Sequence, residues 1–246
     1  MRRVRMGDFE LSVNDHDDVA VRTTFAEIFG ASLYHHDSFS IREEPVIVDV
    51  GGNIGLYTLW SQTRYRAKQI FTFEPSPLTF DCLRDNVSRL ARPDIGQVHL
   101  NEYALGQHDN ATLTLHHSLE SSMISSLLPR SKLGWASGEP GGAEVLEFAV
   151  RVSSLSSVIS DYGIERIDIL KIDVEGYFLE VLNGVSRSDV HRIRNIVLEG
   201  DYLPETGITF ESVEEHLIAM GFQVYCREPF RGNNLIVYGH RAGQAG

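Results

Sequence analysis

The chain has 246 residues, 42% hydrophobic and 23% charged, which suits one large α/β domain with a full core, expected to span 1–246. A net charge of −12 with no Lys/Arg-rich stripe excludes a nucleic-acid binder that works by neutralising phosphates. No stretch approaches a membrane span, and Cys82 and Cys226 stand far apart outside any metal-type spacing, so a reduced, cytoplasmic protein without a membrane partner is expected.

Residues 1–45 read as an N-terminal extension. Arg2, Arg3 and Arg5 precede the polar Gly7-Asp8-Phe9-Glu10 rather than an apolar run, so they do not open a signal peptide. Partial alternation from Val4 to Val13 suggests short strands or a hairpin, Asp15–Asp18 a polar turn, and Val19–Phe29 a short helix. His35 and His36 are adjacent and would not both face one metal on a regular element; as loop residues they could edge a pocket. Val46–Val50 is a strand covered on both faces, followed by Gly51-Gly52-Asn53-Ile54-Gly55 and a helix carrying Leu56, Leu59 and Trp60. Gln69–Phe73 is the second core strand and ends at Glu74-Pro75. Pro77 suits the first turn of the next helix with Ser76 as its N-cap, and Phe80, Leu83, Val87 and Leu90 have helical spacing.

Val98–Leu100 is a short third strand. Beyond it the βαβ rhythm breaks, and residues 111–152 read as an insertion. Its strands are Ala111–His116 and Val145–Val152, expected to pair, with a Ser/Gly/Pro-rich stretch at 118–146 of the kind that forms a lid. Val152–Ile159 leads into a short helix. Ile167–Asp173 is the fourth core strand, Glu175–Val185 a helix, Ile193–Leu198 the fifth strand ending at Glu199, and Phe210–Met220 a helix. Phe222–Cys226 and Leu235–Tyr238 are joined by so short a connection that they should pair antiparallel.

Chemistry on an open α/β sheet sits beyond the carboxyl ends of its strands. A dinucleotide fingerprint needs glycines in a G-x-G-x-x-G frame, and that frame fails from either Gly51 or Gly52, which counts against an NAD-linked oxidoreductase. What stands here is Asp49-x-Gly51-x-x-x-Gly55, with the acid Glu74 ending the next strand. A carboxylate there accepts both hydroxyls of a ribose. Asp49 would repel a pyrophosphate and suits a cationic ligand. An amino-acid-bearing sulfonium nucleoside meets both conditions, and S-adenosylmethionine is the cofactor expected.

Three stretches together resemble the FkbM-type S-adenosylmethionine-dependent methyltransferases. They are Val48 to Gly55, Phe73-Glu74-Pro75 with Asn86 downstream, and Leu170-Lys171-Ile172-Asp173-Val174-Glu175-Gly176. The similarity runs over about residues 45–200, with Ala104-Leu105-Gly106 and Ser125-Ser126-Leu127 in the expected order. It implies a Rossmann-like class I methyltransferase fold, with a seven-stranded, mostly parallel sheet whose last strand is antiparallel. It also implies methyl transfer, usually to a hydroxyl of a sugar or secondary metabolite.

On this reading Gly51, Gly52 and Asn53 contact the methionine end of the cofactor, Asp49 acts behind them or through water, Glu74 holds the ribose, and Gly55 and Pro75 are further cofactor-binding residues. The adenine lies after the third strand, with Tyr103 and Ala104 as candidates. Methylating an alcohol requires the proton to leave as the oxygen attacks. Either Asp173 or Glu199 is the expected acceptor, with Lys171 paired to one of them and Asp173 also beside the sulfonium. Asp173, Glu199 and Asp201 offer oxygens hard enough for magnesium, but acids here are equally what a metal-free site needs, and no metal is expected. The expected partner is a small-molecule acceptor, free or carrier-bound. Methylation at nitrogen or a carboxylate is the alternative within the enzyme class, and a non-catalytic nucleoside-binding module the alternative outside it.

Overall fold

The computed structural model describes residues 1–14, 18–119, 125–128, 144–201, 209–227 and 234–241. The chain opens with the hairpin β1 (Arg2–Met6) and β2 (Phe9–Val13), then α1 (Asp18–Phe25), which runs into a π-helical turn at Ala26–Gly30. The helix expected over Val19–Phe29 is thus two segments of different pitch. Of the polar turn expected at Asp15–Asp18, residues 15–17 lie outside the described residues.

The core begins with β3 (Val46–Val50), α2 (Leu56–Tyr65), β4 (Gln69–Phe73), α3 (Pro77–Leu90) and β5 (Gln97–Asn101). The insertion follows as β6 (Ala104–Leu105), β7 (Ala111–Ser118), β8 (Ser125–Ser126) and β9 (Val145–Ser153). The chain continues with α4 (Leu155–Tyr162), β10 (Ile167–Asp173), α5 (Phe178–Asn183), β11 (Ile193–Asp201), α6 (Phe210–Ala219), β12 (Gln223–Arg227) and β13 (Asn234–His240).

Seven strands form one Rossmann-like sheet in the order β12-β13-β11-β10-β3-β4-β5. The pairs from β11 through β5 are parallel, whereas β13 runs antiparallel to both neighbours, so the expected polarity of the final pair is present. The central strands are apolar on both faces because both are covered. Ile47, Ile169 and Val197 pack with α2, α3 and the N-terminal hairpin; Val48, Leu170 and Ile196 pack with α4, α5 and α6. Asn86 ties the hairpin to the core: its Nδ2 donates to the Ser12 and Ile54 carbonyls, and its Oδ1 accepts from Ser12 N.

The inserted strands form a second sheet, β6-β9-β7-β8, in which β9 pairs antiparallel with the whole of β7, from Ala111↔Val152 to Ser118↔Val145. Most of the lid expected at 118–146, namely 120–124 and 129–143, lies outside the described residues. Two local expectations need correction. Residues 174–177 are not helical: Glu175 and Gly176 take left-handed φ of 46° and 86°, and α5 starts only at Phe178. Ser76 holds the N-cap position of α3 but makes no capping bond; its hydroxyl lies 3.1 Å from His117 Nδ1 instead.

Candidate active site

The turn after β3 is fixed by its neighbours. Gly51 N and Gly52 N both donate to the Phe73 carbonyl, at 3.0 and 2.9 Å. Gly51 has a φ of +80°, and a Cβ there would stand 1.8 Å from the Asp173 carbonyl oxygen; at Gly52 a Cβ would stand 2.2 Å from Thr72 Cγ2. Glycine is therefore required first by the closeness of β10 and β4. The bare backbone it leaves facing the cavity is also what a ligand needs for close approach. Gly55 caps α2 at φ 92° against Leu83 and does not line the cavity.

Glu74 is held from both sides. Asn53 N donates to its Oε2 and Ser76 N to its Oε1, each at 2.9 Å. Burial pushes its carboxyl up to about 7, against the pull of those two donors. Pro75 and Asn53 border the cavity beside it.

Lys171 stands on β10, two residues before Asp173 and on the same face. It is 3% exposed. Its Nζ donates to the Gly51 carbonyl at 2.7 Å and lies 3.2 Å from Asp49 Oδ1 and 3.4 Å from Asp173 Oδ2. Burial disfavours its charge, but Asp49, Asp173 and Glu199 outweigh that and hold its ammonium above the ordinary lysine range. Asp49 is fully buried behind it, accepts from Thr58 Oγ1 at 2.6 Å, and does not reach the cavity. It pairs with Lys171, which in turn holds the Gly51 carbonyl.

Asp173 and Glu199 are register partners on adjacent strands. Tyr34 Oη lies 3.1 Å from Asp173 Oδ2 and also hydrogen-bonds Glu199 Oε2. Burial first, then the neighbouring Asp173, pushes the Glu199 carboxyl up to about 8. The Tyr34 phenol is pushed well above its ordinary range, chiefly by burial and next by Asp173 and Glu199. Among the described residues no group of three or more His, Cys, Asp or Glu side chains is placed to hold a metal ion, and no helix is long and apolar enough to cross a membrane.

These groups surround a cavity of ≈ 340 Å³ at the carboxyl ends of β3, β4, β10 and β11, within the ordinary range of ligand pockets, roughly 300–1,000 Å³. Ala104 lines it. Tyr103, the other candidate after the third strand, turns instead against Phe73 and under the Arg151 guanidinium. The facing wall comes from outside the sheet. Glu27 and Ile28 on the π turn, Leu115 on β7, and Ser125 and Leu127 around β8 all border the space. Ser126 Oγ pins β8 down by donating to the Glu175 carbonyl at 2.7 Å.

Tyr34 and Glu27 were not legible as site residues, because neither sits in a motif. His35 and His36 do not line the cavity. His35 Nδ1 lies 2.9 Å from Tyr65 Oη, and His36 stacks on Tyr225 and Tyr238.

The methyltransferase FkbM domain matches residues 49–224. The chain is 32% identical over 196 residues to methyltransferase sdnD of Sordaria araneosa, spanning 71% of this chain and 73% of that one. It is 28% identical over 230 residues to methyltransferase 1 of Beauveria bassiana, spanning 90% and 89%. It is 30% identical over 190 residues to 31-O-demethyl-FK506 methyltransferase FkbM of Streptomyces tacrolimicus, spanning 71% and 72%.

Proposed function

The chain belongs to the FkbM-domain methyltransferase family, and from that premise we propose that its cavity takes S-adenosylmethionine and methylates a hydroxyl of a small molecule. The acceptor is a sugar or secondary metabolite, free or carrier-bound. One observation carries this reading: a single cavity holds Glu74 at one end and the Asp173–Glu199 pair at the other.

The residues present fit the donor. Glu74 offers two carboxylate oxygens, as a pair of ribose hydroxyls requires. Gly51 and Gly52 leave backbone without a Cβ for close approach, and Ala104 with Leu105 gives the base a small apolar wall. When bound, S-adenosylmethionine supplies a methyl group activated by its sulfonium.

The chain's own part is to orient and to hold a proton. Asp173 and Glu199 place carboxylate oxygens where an alcohol proton can be received, and Lys171, charged and tied to the Gly51 carbonyl, positions Asp173 rather than acting as a base. Leu115 and Leu127 keep water from the reacting atoms. The Streptomyces relative is named for methylation of an O-demethyl compound, which supports oxygen as the accepting atom.

Incubation with methyl-labelled S-adenosylmethionine and matched alcohol, amine and carboxylate acceptors tests the reading. Label on an alcohol together with S-adenosylhomocysteine is expected. Transfer confined to amines or carboxylates, or no donor binding, would contradict it.

A further inference from the structure

Tyr34 belongs to the N-terminal segment, ahead of the family domain's first matched residue. It nevertheless reaches the strand-end carboxylates, and its position is built. Tyr238 Oη, on β13, donates to the Leu33 carbonyl at 2.6 Å and so fixes the backbone just before it. The Tyr57 ring meets the Tyr34 ring edge-on with centroids 5.3 Å apart, and Lys171 Nζ lies 5.4 Å from the Tyr34 ring centroid.

A phenol has one proton and can donate it to only one acceptor at a time. Tyr34 Oη nonetheless lies within hydrogen-bonding reach of a carboxylate oxygen on both Asp173 and Glu199. Both contacts are satisfied together when one carboxyl carries its own proton and donates it to the tyrosine oxygen, while the phenol donates to the other. Two neighbouring carboxylates that share a site do not readily ionise together. The elevated Glu199 carboxyl is in keeping with it being the protonated member at neutral pH. Among the described residues, the charged or titratable groups that act on Glu199 include Asp173 and Lys171 on β10, Tyr34, and Glu27 on the π turn. On β13 its register partner is the apolar Ile236.

We propose that Tyr34 joins Asp173 and Glu199 into one proton-sharing unit that receives the proton leaving the acceptor hydroxyl. This rests on the transfer reading above. In the resting unit Glu199 donates to Tyr34 and Tyr34 donates to Asp173, so two protons serve three groups and one carboxylate position is open. A concerted shift of those two protons moves the open position from Asp173 to Glu199 without moving a heavy atom. On transfer the methyl–sulfur bond breaks with its electron pair left on sulfur. The oxygen–methyl bond forms, the hydroxyl proton fills the open position, and the unit then releases it to solvent. Tyr34 is on this account a positioning residue, since it acts through the carboxylates.

The test uses the full chain without donor or acceptor, carrying ¹³C-labelled Asp and Glu carboxyls and followed by NMR against pH. Glu199, assigned by its loss in Glu199→Gln, is expected to titrate near 8. In Tyr34→Phe the protonated Glu199 loses its acceptor and Asp173 loses its phenol donor, two bonds against the one that the ionised unit loses. The midpoint therefore falls by about half a pH unit or more; a rise, as for a phenol that only donates to ionised Glu199, overturns the proposal. Asp173→Asn removes the neighbouring charge and frees the phenol proton for Glu199, so the midpoint falls by a similar amount; this variant serves if Tyr34→Phe does not fold.

A Glu199 midpoint in the ordinary carboxylate range, or one that neither variant moves, overturns the proposal. With an acceptor in hand, Tyr34→Phe should lose about tenfold or more in kcat while the donor KM stays within about twofold. The titration needs no turnover, so its failure is distinct from failure of the transfer reading.

Discussion

On the sheet side of the cavity, backbone fixes the chemistry. Gly51 cannot gain a Cβ without meeting the Asp173 carbonyl, and Glu74 is clamped by the amides of Asn53 and Ser76. The facing wall is made of side chains on elements laid over the sheet: Tyr34 and Glu27 from the N-terminal segment, Leu115, Ser125 and Leu127 from the insertion. Changes on the sheet side meet the backbone of three strands, whereas changes on the facing wall meet side chains laid over the sheet. A donor shared across a family suits the first kind of wall, and acceptors that differ between members suit the second.

The largest effect is expected where the walls meet. Asp173→Asn should cut turnover by about 10²–10⁴-fold while the donor still binds; near-normal turnover in a steady-state assay would remove Asp173 from the reaction. Next comes the backbone wall itself. Gly51→Ala forces a Cβ into the Asp173 carbonyl at an already positive φ, and should cost about 3 kcal/mol or more of stability, together with donor binding. Denaturant melts and a donor titration would show both.

Glu199 gives a smaller effect with a definite sign. Its carboxyl is raised to about 8 in the folded chain, so the folded state binds the proton more tightly than the unfolded one. The stability from this group is fully present below the unfolded value and is lost as pH rises through about 8. Glu74, raised to about 7, acts in the same direction. Glu199→Gln should therefore flatten part of the fall in Tm from about pH 6 to about pH 9, and melt above the wild type at the alkaline end. A parallel fall in both proteins would refute it. The mildest change is Leu127→Ala, which should raise the acceptor KM by a few-fold, roughly 1 kcal/mol of lost apolar contact, and leave donor affinity alone. An equal loss for donor and acceptor would blur the division of the walls.

The same division explains what could be read from the sequence. The β-branched run Val46–Val50, the broken dinucleotide frame and the acid at the end of β4 are local signals, because each follows from a few consecutive residues in one backbone geometry. Lys171 and Asp173 were placed on one face by strand alternation alone. Tyr34 gave no such signal: it lies in a loop without periodicity, and its partners are 139 and 165 residues away. Glu27 sits in a π turn whose pitch no α-helical spacing anticipates.

The segment after Asp173 misled for a different reason. Phe178, Val181, Leu182 and Val185 continue a helical pattern, but the left-handed pair Glu175 and Gly176 delays the helix so that Glu175 can offer its carbonyl to Ser126. Asp49 pointed to a cationic partner, and the cation it meets in the structure is Lys171.

Calorimetric titration with S-adenosylhomocysteine tests the division of the cavity most directly, using the wild type, Glu74→Gln and Tyr34→Phe. Binding to the wild type is expected, weakened about tenfold or more by Glu74→Gln, since a charge-assisted pair of hydrogen bonds is lost, and changed less than about twofold by Tyr34→Phe. No binding to the wild type, or the same loss in both variants, would contradict it.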